Sequence, residues 1–286
     1  MTPLTTIGNV RDAISSFVRA RDWSKFHTPR NVALALSGEV GEISEIFQWK
    51  GSLEEGLDGS FSMRDREHIG EELADVFIYT TRLSDLSGIN LASAVYRAAK
   101  NGGDDSDQMR FELIQNVRCP PGAIWVEDMN FDELCKLEQA SRDKRQLGKI
   151  FLTKNPRDVL FHLHIQLGKI SSSLYPHEEA ACTLGLDTWT SEELLTLVEG
   201  LVGVILDLIW IADLCDLSLP KVLADKMRKN GAKYPANRCR GKSAKYTSYL
   251  TSNSNVSMST ALGSGAALLA FGVGLGYCLN IYTKSR

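Results

Sequence analysis

A chain of 286 residues with 43% hydrophobic and 23% charged side chains is globular, with material for about two domains, and disorder is excluded. Its 32 lysines and arginines against 35 acids leave a net charge of −3, so the basic excess of a general nucleic-acid binder is missing. Cys119, Cys135, Cys182, Cys215, Cys239 and Cys278 are scattered, without C-x-x-C spacing or partner histidines, so neither a disulfide framework nor a structural zinc site is expected.

The N-terminal MTPLTTIGNVRDAISSF has no basic segment leading into a long apolar run. No secretory signal is expected, and the bulk of the chain is expected to face the cytosol. Apolar residues then recur at helical spacing. Val32, Leu36, Ile43 and Ile46 form one stripe, and Ile69, Val76, Tyr79 and Leu83 form another. Two acid pairs spaced i, i+3 ride on these helices: Glu39 with Glu42, and Glu72 with Asp75. At about 100° per residue, Glu39 falls inside the first apolar stripe and Glu72 inside the second. Carboxylates aimed into a bundle repel one another and lose hydration. A bound divalent cation removes both costs, and hard carboxylate oxygens suit Mg2+ or Mn2+. Since Mg2+ commonly shares its coordination with substrate phosphates, a nucleotide substrate is expected. Gly38 and Gly41 leave room for a neighbouring group to approach the acids. Trp23, His27 and Trp49 offer a stacking surface and a hydrogen bond for a base, whereas Phe47 belongs to the core.

Residues 102–130 carry Gly-Gly-Asp-Asp and Cys-Pro-Pro-Gly, which mark a linker or insertion between residues 1–101 and 131–250. The second segment repeats the first. Pro29-Arg30-Asn31-Val32 matches Pro156-Arg157-Asp158-Val159, Leu36 falls on Leu163 and Ile43 on Ile170. One residue further out of step, Asp85-Leu86 matches Asp213-Leu214. In the second copy, however, Glu39, Glu42, Glu72 and Asp75 become Gln166, Lys169, Gly200 and Gly203, so the cation site is lost. That copy instead carries KMRKNGAKYP, where Lys226, Asn230, Lys233 and Tyr234 supply cationic and polar groups for a triphosphate. The first copy breaks off before such an ending. One composite site per chain is therefore expected.

Residues 251–260 read as a flexible linker. Residues 261–282 carry no charge, and as a helix they would span about 33 Å, one hydrocarbon core. A C-terminal transmembrane tail anchor is expected there, in the mitochondrial outer membrane or the endoplasmic reticulum.

RDWSKFHTPRNVALALSGEVGEISEIFQWK, then EELADVFIY, then KMRKNGAKYPANRCRGKSAKY closely resemble segments of the dCTP pyrophosphatases, members of the MazG-like nucleotide pyrophosphohydrolases. The resemblance covers about residues 7–101 and 220–246. It implies an all-α fold, here a tandem helical bundle forming a pseudo-dimer, and Mg2+-dependent hydrolysis of a deoxynucleoside triphosphate to monophosphate and pyrophosphate. By match to the family motif, Glu39, Glu42, Glu72 and Asp75 would hold metal. Trp23, His27 and Trp49 would surround the base, and Tyr79 would lie near the sugar or phosphates. Lys226, Asn230 and Tyr234 match the family's substrate-contacting segment. Either Glu42 or Glu71 would orient or deprotonate the attacking water. Family members assemble as oligomers, so a homo-oligomer, a dimer of tandem chains, is expected. The alternatives are an inactive membrane-tethered nucleotide-binding or scaffold protein, and a pyrophosphatase for dUTP or another non-standard nucleotide.

Overall fold

The computed structural model describes residues 3–50, 56–57, 59–101, 113–114, 117–120, 123–147, 154–177 and 188–242. The expected linker at 251–260 and tail anchor at 261–282 lie outside the described residues, as do parts of 102–130. The described chain is all-α. Among these residues the only strand-like pairings are isolated bridges, Thr6 with Asn130 and Ile89 with Arg118.

Helix starts follow from capping chemistry. Thr6 accepts from the Asn9 amide at 3.1 Å and opens α1 (Ile7–Ala20). Thr28 caps α2 (Pro29–Phe47), whose leading proline has the φ that a first turn needs. Ser62 and Asp65 form a reciprocal capping box at the start of α3 (Met63–Leu86). After α4 (Leu91–Asn101) and α5 (Phe131–Leu147), the pattern of α2 and α3 recurs. A capped, proline-led α6 (Pro156–Leu174) has the 19 residues of α2. A capping box of Thr190 and Glu193 opens α7 (Ser191–Leu214), which has the 24 residues of α3. The exits match as well. Gly88 (φ +67°) turns the chain after α3 and Asp216 (φ +53°) after α7. The amide two residues past each C-cap then bonds back into its helix, Ile89 to the Ser84 carbonyl and Leu217 to the Ala212 carbonyl. Two further helices follow, α8 (Leu219–Lys233) and the short α9 (Ala236–Cys239).

Packing places α3 and α7 at the centre. The α2 helix lies on α3, α6 lies on α7, and α2 also meets α6. The helices that follow the central pair cross over: α4 rests on α7, and α8 rests on α3. Three hydrogen bonds lock this crossing. The Arg21 Nε donates to the Tyr234 carbonyl at 2.7 Å, the Trp23 indole to the Cys239 carbonyl at 3.1 Å, and the Gly241 amide to the Arg21 carbonyl at 2.8 Å. One described helix, α7, is long and apolar enough to cross a membrane by length and composition. Most of it is buried against α3, α4, α5 and α6, which accounts for its apolar character in the bundle.

Candidate metal centre

From Glu72 to Asp85 the α3 helix is buried on every side, so its polar residues cannot turn to water. Glu72 and Asp75 project towards Glu39, which sits on the buried face of α2 as its stripe position requires. One carboxylate oxygen each from Glu39, Glu72 and Asp75 lies within 4.8 Å of the others. Glu42, one turn further along α2, is half-buried at the rim. Among the described residues, Glu42 Oε1, Glu72 Oε2 and Asp75 Oδ1 have no hydrogen-bond partner.

The electrostatics follow from this crowding. Burial first, then repulsion from Asp75, Glu42 and Glu72, pushes the Glu39 carboxyl up to about 9. Burial and the neighbouring Glu72 and Asp75 push Glu42 up to about 7. Glu72 and Asp75 are also raised, chiefly by burial. A set of orphaned, buried carboxylate oxygens fits a hard divalent cation, which would satisfy them and remove the repulsion.

The crossing helix α8 completes the site. The Lys226 Nζ ion-pairs with Asp75 Oδ2, and the Asn230 side chain hydrogen-bonds the same carboxylate. Burial pulls the Lys226 ammonium down, but Asp75 and Glu72 outweigh it and leave it raised. Lys233 also contributes favourable charge to Asp75. Tyr79, one turn beyond Asp75, is fully buried, and burial with nearby carboxylates drives its hydroxyl well above its ordinary value.

The remaining expected residues are placed unevenly. His27 is buried near Arg82, and burial followed by that guanidinium lowers its imidazole to about 4. Trp23 is a core anchor, its indole bonded to Cys239 and its ring edge-on to Phe17 and Tyr234. Tyr234 is buried beside it. Trp49 lies past the end of α2 and is 87% exposed, outside the cluster. Glu71 lies outside the three-carboxylate cluster and ion-pairs with Lys229, which also holds Glu67 at 2.8 Å.

Two groups escaped the sequence reading. His68, four residues before Glu72, places its Nε2 3.1 Å from that carboxylate. Arg82 is buried on the same face of α3 as Glu72, Asp75 and Tyr79. The i, i+3, i+7, i+10 spacing carried that signal.

At the corresponding positions of α6 and α7 the space is filled. A Cβ at Gly203 would collide with the Gln166 side chain, and one at Gly200 would meet the Gln166 carbonyl and Ile170. Beside them, His162 Nδ1 lies 2.7 Å from Asp207 Oδ1.

Comparison with curated proteins finds dCTP pyrophosphatase 1 of Homo sapiens, 45% identical over 94 residues, which are 33% of this chain and 55% of that protein. The Rattus norvegicus protein of that name is 42% identical over 94 residues, again 33% and 55%. The Bos taurus protein is 43% identical over 90 residues, 32% of this chain and 53% of that protein. The chain spans about half the length of the curated relatives it matches. No family model and no solved structure matches the chain.

Proposed function

We propose that the chain is a dCTP pyrophosphatase of the MazG-like type, which converts dCTP or a modified dCTP to the monophosphate and pyrophosphate. The observation that carries it is the meeting of Glu39, Glu72 and Asp75 with Lys226 and Asn230 of α8, an acidic cation site adjoined by phosphate-binding groups. The similarity to proteins named dCTP pyrophosphatase 1 supports the substrate.

Glu39, Glu72 and Asp75, with Glu42 at the rim, would hold Mg2+, which supplies charge neutralisation on the phosphates and acidifies water. Lys226 and Lys233 neutralise further phosphate charge, and Asn230 orients Asp75. Of the two candidate bases, Glu42 fits better. Its carboxyl near 7 is matched to proton transfer at neutral pH, whereas Glu71 is engaged by Lys229.

The second half acts as scaffold. Equal helix lengths, caps and exit turns support a duplication whose second cation site closed over Gln166. The chain is thus a built-in dimer with one working site, and two chains pair into a larger assembly. The uncharged run at 261–282 tethers it to a membrane, on the strength of its sequence alone.

The test incubates the full chain with Mg2+ and each deoxynucleoside triphosphate while pyrophosphate is monitored. Release from dCTP that Glu39→Gln abolishes is expected. A folded chain that releases pyrophosphate from no nucleotide overturns the proposal.

A further inference from the structure

Beyond the carboxylates, α1, α3 and α8 enclose a narrow cavity of about 10 Å3, room for roughly one water. Phe17, Ile78 and Met227 form apolar walls, and His27, Arg82 and Asn230 supply polar ones. Asn230 also bonds Asp75, so the cavity and the cation site share a wall. Along α3, Arg82 lies about 10 Å beyond Asp75, at roughly 1.5 Å per residue. That separation is comparable to the reach from a nucleotide's α-phosphate to the far edge of a pyrimidine.

Arg82 is 8% exposed. Its Nη1 donates to Asp85 Oδ2 at 2.8 Å, but its Nε has no partner among the described residues. A buried donor left unmade is costly, and a ligand acceptor in the cavity would remove that cost.

We propose that Arg82, placed on the wall of this cavity, reads the substrate base and sets a preference for cytosine. The inference rests on the nucleotide reading above. A guanidinium only donates, and its fork suits two adjacent acceptors, as arginine does on guanine O6 and N7. Cytosine offers such a pair in O2 and N3. Uracil and thymine place an N3–H donor there, against which the guanidinium has nothing to accept with. Neutral His27 can donate from one ring nitrogen and accept at the other, so it tolerates either pyrimidine. The cavity as it stands holds about one water. Any base therefore enters only as Met227, with its three rotatable bonds, swings aside, and the smaller pyrimidine needs less of that opening than a purine. At the position of α7 that corresponds to Arg82 stands Trp210, which has no guanidinium fork.

The test measures dCMP, dUMP and dGMP binding to the full chain by calorimetry in Mg2+, beside kcat/KM for dCTP and dUTP. The wild type is expected to favour dCMP over dUMP by about tenfold or more. Arg82→Lys keeps a cation for Asp85 but loses the fork, and is expected to bring that ratio near unity by weakening dCMP alone. A merely structural role would weaken both nucleotides alike. If Arg82→Lys does not fold, the paired variant Arg82→Met with Asp85→Asn, which leaves no unmatched charge, gives the same ratio. An unchanged ratio, or dGMP bound as tightly as dCMP, overturns the inference. Absence of pyrophosphate release from any triphosphate overturns the proposed function instead, and the monophosphate ratio still judges Arg82.

Discussion

Lys226 of α8 and Asp75 of α3 form an ion pair inside a cluster of three buried carboxylates, so a cation from the second half of the chain balances acids from the first. Removing one partner of a buried pair leaves the other charge uncompensated, a cost of about 3–5 kcal/mol. Lys226→Met is expected to destabilise the metal-free protein by up to that amount, because Asp75 can escape part of it by taking a proton. Saturating Mg2+ should restore most of the loss. Urea denaturation in chelator and in Mg2+ checks this, and equal losses in both would count against cation replacement.

Glu39→Gln imitates the protonated carboxyl that burial already favours at neutral pH. The fold should be kept and its stability at pH 8–9 increased, while the Mg2+-induced rise in melting temperature disappears. Turnover should fall by roughly three orders of magnitude, the scale of several kcal/mol of lost charge stabilisation. Calorimetric scans and a pyrophosphate assay measure both. A retained Mg2+ response would remove Glu39 from the ligand set.

The pH dependence has a defined sign. Glu39 and Glu42 titrate near 4.5 when unfolded but are pushed up to about 9 and about 7 in the fold. The folded protein therefore holds protons that the unfolded chain has released, and stability is lost as pH rises from 4.5 to 9. His27, lowered to about 4 from 6.5, acts oppositely, contributing stability that is lost as pH falls below 6.5 towards 4. Between pH 6.5 and 9 the carboxylates act alone of these three. In chelator the melting temperature should fall across that window, and Mg2+ should flatten the slope by replacing protons. A rise in chelator would falsify the assignment.

Trp23→Phe keeps an aromatic ring but removes the bond to the Cys239 carbonyl. A stability loss of about 1–2 kcal/mol is expected from the orphaned acceptor. Because this bond holds the chain beyond α8 against the first half, KM should also rise. A change in stability with KM constant would make the anchor independent of the site.

Gly203→Ala drives a methyl into Gln166. A cost of about 1–3 kcal/mol is expected from overpacking, with turnover per chain unchanged. Comparing denaturation with active-site titration tests this. A fall in turnover at constant folded fraction would mean that the second half does more than support the first.

Helical periodicity made the acids legible. Once Val32, Leu36 and Ile43 define the inner face of α2, Glu39 must share it, and the structure buries all four together. Periodicity identifies a buried face but not the helix that covers it, so the direct contact of α8 with α3 could be guessed only from the incomplete halves. Trp23 was hidden for another reason. Its partner is a backbone carbonyl, and every residue has one. Trp49 carried the right chemistry, yet no periodic stripe constrained a residue past the end of α2. Arg82 was passed over because a lone arginine on a helix is ordinarily solvated; its burial depends on α1 and Asp85.

The crossing of α8 onto α3 also orders events during synthesis. At about 5–20 residues per second, the ribosome delivers Lys226 roughly 8–30 s after Asp75. Through that interval the nascent acids have no lysine beside them, and the surface of α3 that α8 covers stays open. Assembly of the acid–lysine cluster is therefore a late step in synthesis, and a polypeptide interrupted before α8 carries the acids without Lys226.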